Sequence, residues 1–127
     1  MAVQEIGRVV HPILAAGQIE GGVAQGIGWA LYEDVVLKDG AMANSQLTNY
    51  ILPTSADTPP IRVFFFENPY EHGPFGAKGI GELPMDGPAP AILAAIHSAT
   101  GHLPMAIPVL PEHLLENLVG PAEAKTA

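Results

Sequence analysis

The sequence predicts an α+β fold, and three observations carry that prediction. Between Gln18 and Leu37 the apolar residues Ile19, Val23, Ile27, Ala30 and Leu31 recur at spacings of three and four, the period of a helix with one buried face. Residues 61–67 (IRVFFFE) are dense in β-branched and aromatic types, which suit a strand. Residues 89–100 (APAILAAIHSAT) are Ala-rich and closed by Gly101, the signature of a helix with a glycine stop.

Taken in order, residues 5–10 (EIGRVV) read as a short strand that Pro12 ends. The helix over 18–37 follows and ends near Asp39-Gly40, itself a hairpin turn. That helix contains Gly21, Gly22, Gly26 and Gly28. Each glycine in a helix costs roughly 0.8–1 kcal/mol relative to Ala, so close packing or a ligand lying against the helix must require them, with packing the first reading. Residues 44–50 form a strand or an irregular connection, and Pro53, Pro59 and Pro60 keep the chain extended up to the strand at 61–67. Residues 68–90 are rich in Gly and Pro and form a long loop, which in a small domain suggests a binding or covering role. After the Ala-rich helix, Pro111 opens a short final helix, and residues 120–127 read as a flexible tail. Residues 1–119 thus make one domain, the number expected for 127 residues.

Composition narrows the function. The net charge is -8 and the five Lys and Arg residues are scattered singly, so no basic stripe is available to nucleic acid. With no cysteine, the chain forms no disulfide, offers no thiolate nucleophile and ligates no iron–sulfur cluster. Only 14% of residues are charged while 48% are hydrophobic, which points to apolar surface covered by a partner and to poor solubility without one. The N-terminus has no signal-peptide pattern and no apolar run has membrane-spanning length, so the expectation is a cytoplasmic protein.

The segment with most chemical content is Gly73-Pro-Phe-Gly-Ala-Lys-Gly-Ile-Gly-Glu-Leu-Pro, in which four glycines fall between positions 73 and 81 immediately before Glu82. Backbone amides brought together this way can cradle an anion or oxo group. Ile80, Leu83 and Pro84 would withdraw Glu82 from water and make it a better base. The bland alternative is an exposed turn whose glutamate faces water. Lys78 is followed by Gly79 and Ile80 rather than Ser or Thr, so the loop is not a nucleotide P-loop. The five histidines lack paired metal-ligand spacing, and no serine sits in a Gly-x-Ser-x-Gly elbow. Gln18, opening the helix in GQIEGG, offers two donors and an acceptor beside a helix N-terminus.

Together, EIGRVVHP, GQIEGGVAQGIGWALYE, NYILPT, GPFGAKGIGELP and DGPAPAILAAIHSATG resemble the C-terminal part of the molybdenum-binding large subunit in the xanthine dehydrogenase and aldehyde oxidoreductase family, in the family's order and spacing over roughly residues 5–118. The resemblance implies a piece of a molybdopterin-binding domain, a mixed sheet with packed helices and a long active-site loop. It implies that Glu82 is the catalytic base, acting toward a molybdenum-bound hydroxyl, with water as the source of the oxygen atom inserted into an N-heterocycle or aldehyde. It implies that Gln18, Gly22, Gln25, Lys78, Gly79 and Gly81 contact the cofactor, Mo-molybdopterin in its cytosine dinucleotide form, without this chain ligating the metal. The expected partners are the remainder of the molybdenum-binding subunit, an iron–sulfur subunit and a flavin subunit. Family large subunits are several times longer, so the chain by itself should be inactive, and His11 stands where many relatives carry Asn. The rival reading is a non-catalytic remnant or assembly protein that keeps the fold without cofactor.

Overall fold

A computed structural model describes residues 1–119. The chain runs β1 (Ala2–Gln4), α1 (Pro12–Leu31), β2 (Leu37–Lys38), β3 (Ala41–Met42), β4 (Val63–Phe65), α2 (Leu83–Asp86), α3 (Pro88–Thr100) and α4 (Pro111–Val119), with a 3-10 turn at Pro74–Gly76. The architecture is α+β. The mixed sheet takes the form of two separate pairs: β1 with β4 in parallel and β2 with β3 antiparallel. The tail predicted at 120–127 lies outside the described residues.

The chain divides into two compact units, Met1–Ile27 with Pro53–Pro88, and Gly28–Leu52 with the residues from Ala89 onward. In the first unit β1 pairs with β4 in the register Ala2↔Val63, Val3↔Phe64, Gln4↔Phe65. Pairing with β4 fixes the strand at 2–4, not at 5–10, because Glu5–Gly7 turns away: Gly7 sits at φ 71, and a Cβ there would run into the carbonyl oxygen of Gly76. Helix α1 begins at Pro12, six residues before Gln18, because Pro12 opens the helix instead of merely ending a strand. The Leu14 amide donates to His11 Nδ1 at 3.3 Å, so the histidine caps the helix start in its own way. Ile6, Ile19 and Pro84 are the buried side chains around which this unit closes.

In the second unit α1 stops at Leu31 rather than Leu37. The chain there is held by Asn44, whose Oδ1 accepts from the Val36 amide at 2.9 Å and whose Nδ2 donates to the Asp34 carbonyl at 2.6 Å. Tyr50 donates its hydroxyl to Glu33 at 2.6 Å. Asp39-Gly40 is the expected hairpin turn, both residues in the left-handed region at φ 52 and 77. Helix α3 ends where expected, with Gly101 at φ 77, and the Val109 amide donates to the Ala30 carbonyl at 2.7 Å.

Apolar surface remains open in both units. Val3 and Phe64, partners across β1 and β4, are both exposed, as are Ile13 and Phe75 in the first unit and Met105 in the second. Parallel strand pairs are ordinarily covered on both faces, so this short pair is an incomplete sheet.

Candidate functional site

The glycine-rich loop belongs to the first unit, and the turn after β1 anchors it. Gly7 bridges Ala77, the Arg8 amide donates to the Gly76 carbonyl at 2.8 Å, and the Lys78 amide donates to the Ile6 carbonyl at 2.9 Å. The loop folds back through Tyr70, whose amide also donates to Gly76 O at 2.9 Å, with Phe75 and Gly76 at φ 54 and 81. Glu5 ties the arrangement together: one carboxylate oxygen accepts from the Gly7 amide at 2.6 Å and the other from Lys78 Nζ at 2.5 Å. The Lys78 hydrogen bond first, and the Gly7 amide second, hold the Glu5 carboxyl below its ordinary value of 4.5. Lys78 Nζ also lies 5.9 Å from the centre of the Tyr70 ring.

Beyond Lys78 the chain becomes free. The amides of Gly79, Ile80, Gly81 and Glu82 donate to no acceptor among the described residues, and a Cβ added at Gly79 or Gly81 would meet nothing within 4 Å. The segment is caught again by proline. Pro84 is buried with its ring over Gly22, and Pro88 sits over Gly26 closely enough that an added Cβ would lie 2.7 Å from Pro88 Cγ. Gly22 and Gly26 are therefore seats for prolines, the packing reading of the sequence, whereas Gly17 and Gly21 have nothing within 4 Å, and the Cβ side of Gly22 is filled by the chain itself. These two seats hold α2 and, just before it, Glu82.

Glu82 is exposed and has no side-chain hydrogen bond or ion pair among the described residues. Leu83 is half-buried and Pro84 buried, so the apolar residues expected to shield Glu82 turn toward the chain instead. The described residues do not withdraw this carboxylate from water.

An open groove of about 280 Å³ brings together Gln18, Lys78, Ile80, Arg8, His11 and Leu14. Two of the sequence-predicted residues, Gln18 and Lys78, thus meet. Gln18 lies in the second turn of α1 and not at its start, so it contributes an amide side chain without the help of a helix terminus. Gln25, seven residues further along α1, is exposed but does not line the groove. Gly79 and Gly81 flank the groove residue Ile80 in sequence, and Glu82 follows them.

A second groove, of about 320 Å³, lies in the other unit between residues 102–109 and α4, and holds none of the predicted site residues.

The donor set suits a large polar ligand carrying oxo or phosphate groups: a carboxamide, a guanidinium and four free amides with open space beside two glycines. Among the described residues no group of three His, Asp or Glu side chains could hold a metal ion. Sequence reasoning missed Glu5, Arg8 and Tyr70. The Glu5-x-Gly7 turn was a local signal, but nothing linear joined Glu5 to Lys78, 73 residues away.

Comparison with known proteins identifies the family. A family model described as a molybdopterin cofactor-binding domain matches residues 1–59. The chain is 37% identical over 116 residues to the putative xanthine dehydrogenase molybdenum-binding subunit XdhA of Escherichia coli (strain K12), covering 90% of this chain and 15% of that protein. It is 38% identical over 115 residues to the aldehyde oxidoreductase of Megalodesulfovibrio gigas, covering 90% of this chain and 12% of the relative. The crystal structure of quinoline 2-oxidoreductase from Pseudomonas putida 86 superposes with a TM-score of 0.85 at 33% identity, over 93% of this chain and 16% of that one. The chain thus spans only a small part of the length of the proteins it matches. By motif, fold and similarity, it belongs to the xanthine dehydrogenase and aldehyde oxidoreductase family of molybdenum hydroxylases, as a piece of the molybdenum-binding subunit.

Proposed function

We propose that this chain completes the molybdopterin active site of a molybdenum hydroxylase, with Glu82 as the catalytic base. The observation that carries the reading is the run of free amides from Gly79 to Glu82, which ends in an exposed carboxylate and adjoins the groove shared by Gln18 and Lys78. When bound, Mo-molybdopterin, proposed in its cytosine dinucleotide form, would supply the chemistry of water-derived oxygen transfer and act as the two-electron acceptor for the substrate carbon. This chain's share is binding and proton movement. The Gln18 carboxamide donates to and accepts from the pterin, Gln25 adds a second carboxamide, and the amides of Gly79 and Gly81 donate to oxygen atoms of the cofactor, while the Lys78 amide, expected to join them, is taken by the Ile6 carbonyl. Glu82 takes the proton at a carboxylate oxygen, and its base strength rises once a partner excludes water from it.

Such a chain works only in a complex. The remainder of the molybdenum-binding subunit covers its open apolar surface, and iron–sulfur and flavin subunits carry the electrons away, since a chain without cysteine cannot hold clusters. No helix among the described residues is long and apolar enough to cross a membrane, and the location that goes with this proposal is the cytoplasm. The substrate is an N-heterocycle or an aldehyde. The test is purification under mild conditions with metal, pterin and subunit analysis. Stoichiometric molybdenum with a molybdenum-subunit partner is expected, and Glu82→Gln should abolish hydroxylation while retaining metal. A metal-free chain without such a partner would replace this reading with that of a remnant or assembly protein.

A further inference from the structure

We propose that Glu5 is a positioning residue for the Lys78–Glu82 run: by binding the Lys78 ammonium and the Gly7 amide with its two carboxylate oxygens, it makes the run present backbone, not lysine charge, to its ligand. The inference rests on the reading of that run as a cofactor cradle.

The geometry is specific. Two backbone hydrogen bonds join residues 6–8 to residues 76–78, Arg8 N to Gly76 O and Lys78 N to Ile6 O, and together they form the antiparallel Gly7–Ala77 bridge. The second of them is at Lys78, and nothing described pairs the backbone amides from Gly79 to Glu82. The order of the free segment therefore depends on how firmly its first residue is fixed. The Lys78 main chain is fixed by Ile6 and its side chain by Glu5, with the centre of the Tyr70 ring 5.9 Å from the ammonium. Glu5 simultaneously fixes the turn that holds Gly7 at φ 71, the conformation that lets Gly76 approach so closely. One carboxylate thus sets both sides of the bridge. A lysine whose ammonium is already engaged is poorly placed to act as a free cation toward a cofactor phosphate, so the donors left to the ligand are the four amides.

The test uses hydrogen exchange read by mass spectrometry on the full chain as purified with its accompanying subunits, for peptides covering 5–10 and 76–84. Glu5→Gln keeps an acceptor for Gly7 and removes the charge. It is expected to speed exchange in these two peptides by about three- to fivefold, the scale of a partly exposed ion pair, and to leave the other peptides unchanged. Lys78→Met should give the same pattern, and the double variant should be no worse than either single one. Lys78→Arg, which keeps a cation within reach of Glu5, should restore slow exchange, a rescue that general loss of packing would not produce. Unchanged exchange in Glu5→Gln, or acceleration throughout the chain, overturns the proposal. Molybdenum content measured in parallel separates the two readings. Local acceleration in a metal-free chain supports the positioning role while removing the proposed function, and unchanged exchange in a molybdenum-loaded complex overturns the positioning role alone.

Discussion

Two sets of glycines in the first unit do opposite things. At Gly22, Gly26 and Gly73 the place of a side chain is filled by other parts of the chain: Pro84, Pro88 and the Ala77 carbonyl. At Gly79 and Gly81 it is empty, and neither residue has a positive φ. The first set is required by the fold, since each seats another segment in direct contact. The second set is not required by the fold, because an alanine would fit both the backbone and the space. Glycine at 79 and 81 leaves room next to free amides, the room that the proposed cofactor would use. The contrast separates glycines that seat other segments of this chain from an open edge proposed to meet a ligand.

The largest effect expected is at the end of the open edge. Glu82→Gln in the assembled enzyme should reduce turnover by about 10²–10⁴-fold, the usual scale of general acid–base catalysis, with thermal stability unchanged because the side chain is exposed and makes no hydrogen bond or ion pair among the described residues. Steady-state kinetics and a melting curve on the same preparation check both halves. A large drop in melting temperature would move Glu82 into the scaffold and break the contrast.

Next comes the closed set. Gly22→Ala should destabilise the chain by about 1–3 kcal/mol, because the new methyl overlaps the Pro84 ring and neither the helix nor the proline can withdraw without disturbing the other. That loss is partly offset by the gain of about 0.8–1 kcal/mol from alanine in a helix. Gly21→Ala, one residue away with nothing within 4 Å, receives only the gain and is the internal control. Denaturation midpoints for the two variants should move in opposite directions.

The open set should behave differently again. Gly79→Ala and Gly81→Ala are expected to stabilise the chain by about 0.4–1 kcal/mol, since the unfolded state loses freedom and the folded state loses nothing. Both should lower molybdenum and pterin occupancy in the purified complex. Stability and occupancy moving together, in either direction, would erase the distinction between the two sets.

How far the sequence revealed this arrangement depended on whether the cause was local. The Asp39-Gly40 turn, the strand around Val63–Phe65 and the helix closed by Gly101 were legible because turn chemistry, β-branching and a glycine stop act on neighbours. The start of α1 was misread because Pro12 is compatible both with ending a strand and with opening a helix, and only the His11 cap and the β1–β4 register decide between them. That shift moved Gln18 into the second turn while leaving it in the groove. The shielding expected around Glu82 failed for a related reason. Apolar neighbours in sequence can face either way, and here Pro84 is drawn inward by a seat on Gly22, 62 positions earlier by their numbering. Glu5 was missed because the Glu5-x-Gly7 turn signals only a local contact and its other partner, Lys78, is 73 residues away.

The smallest predicted effect concerns pH, and it compares the two units. In the first, the Glu5 carboxyl is held below 4.5 by Lys78 and the Gly7 amide, so its contribution to stability is complete above the unfolded value and is lost as pH falls through the depressed folded one. In the second, the Tyr50 hydroxyl is pushed above 10.0 by its hydrogen bond to Glu33, so its contribution is complete below the unfolded value and is lost as pH rises through the raised folded one. Acid should therefore loosen peptides 5–8 and 76–78 in wild type but not further in Glu5→Gln, whereas alkali should loosen the Glu33–Tyr50 link in wild type but not further in Tyr50→Phe. Both pairs are solvent-exposed, so the shifts should be slight and weakened by salt. Their value lies in direction: acid sensitivity that survives in Glu5→Gln would mean that some other carboxylate, Asp57 with its own lowered value being the first to exclude, fixes the loop that leads to Glu82.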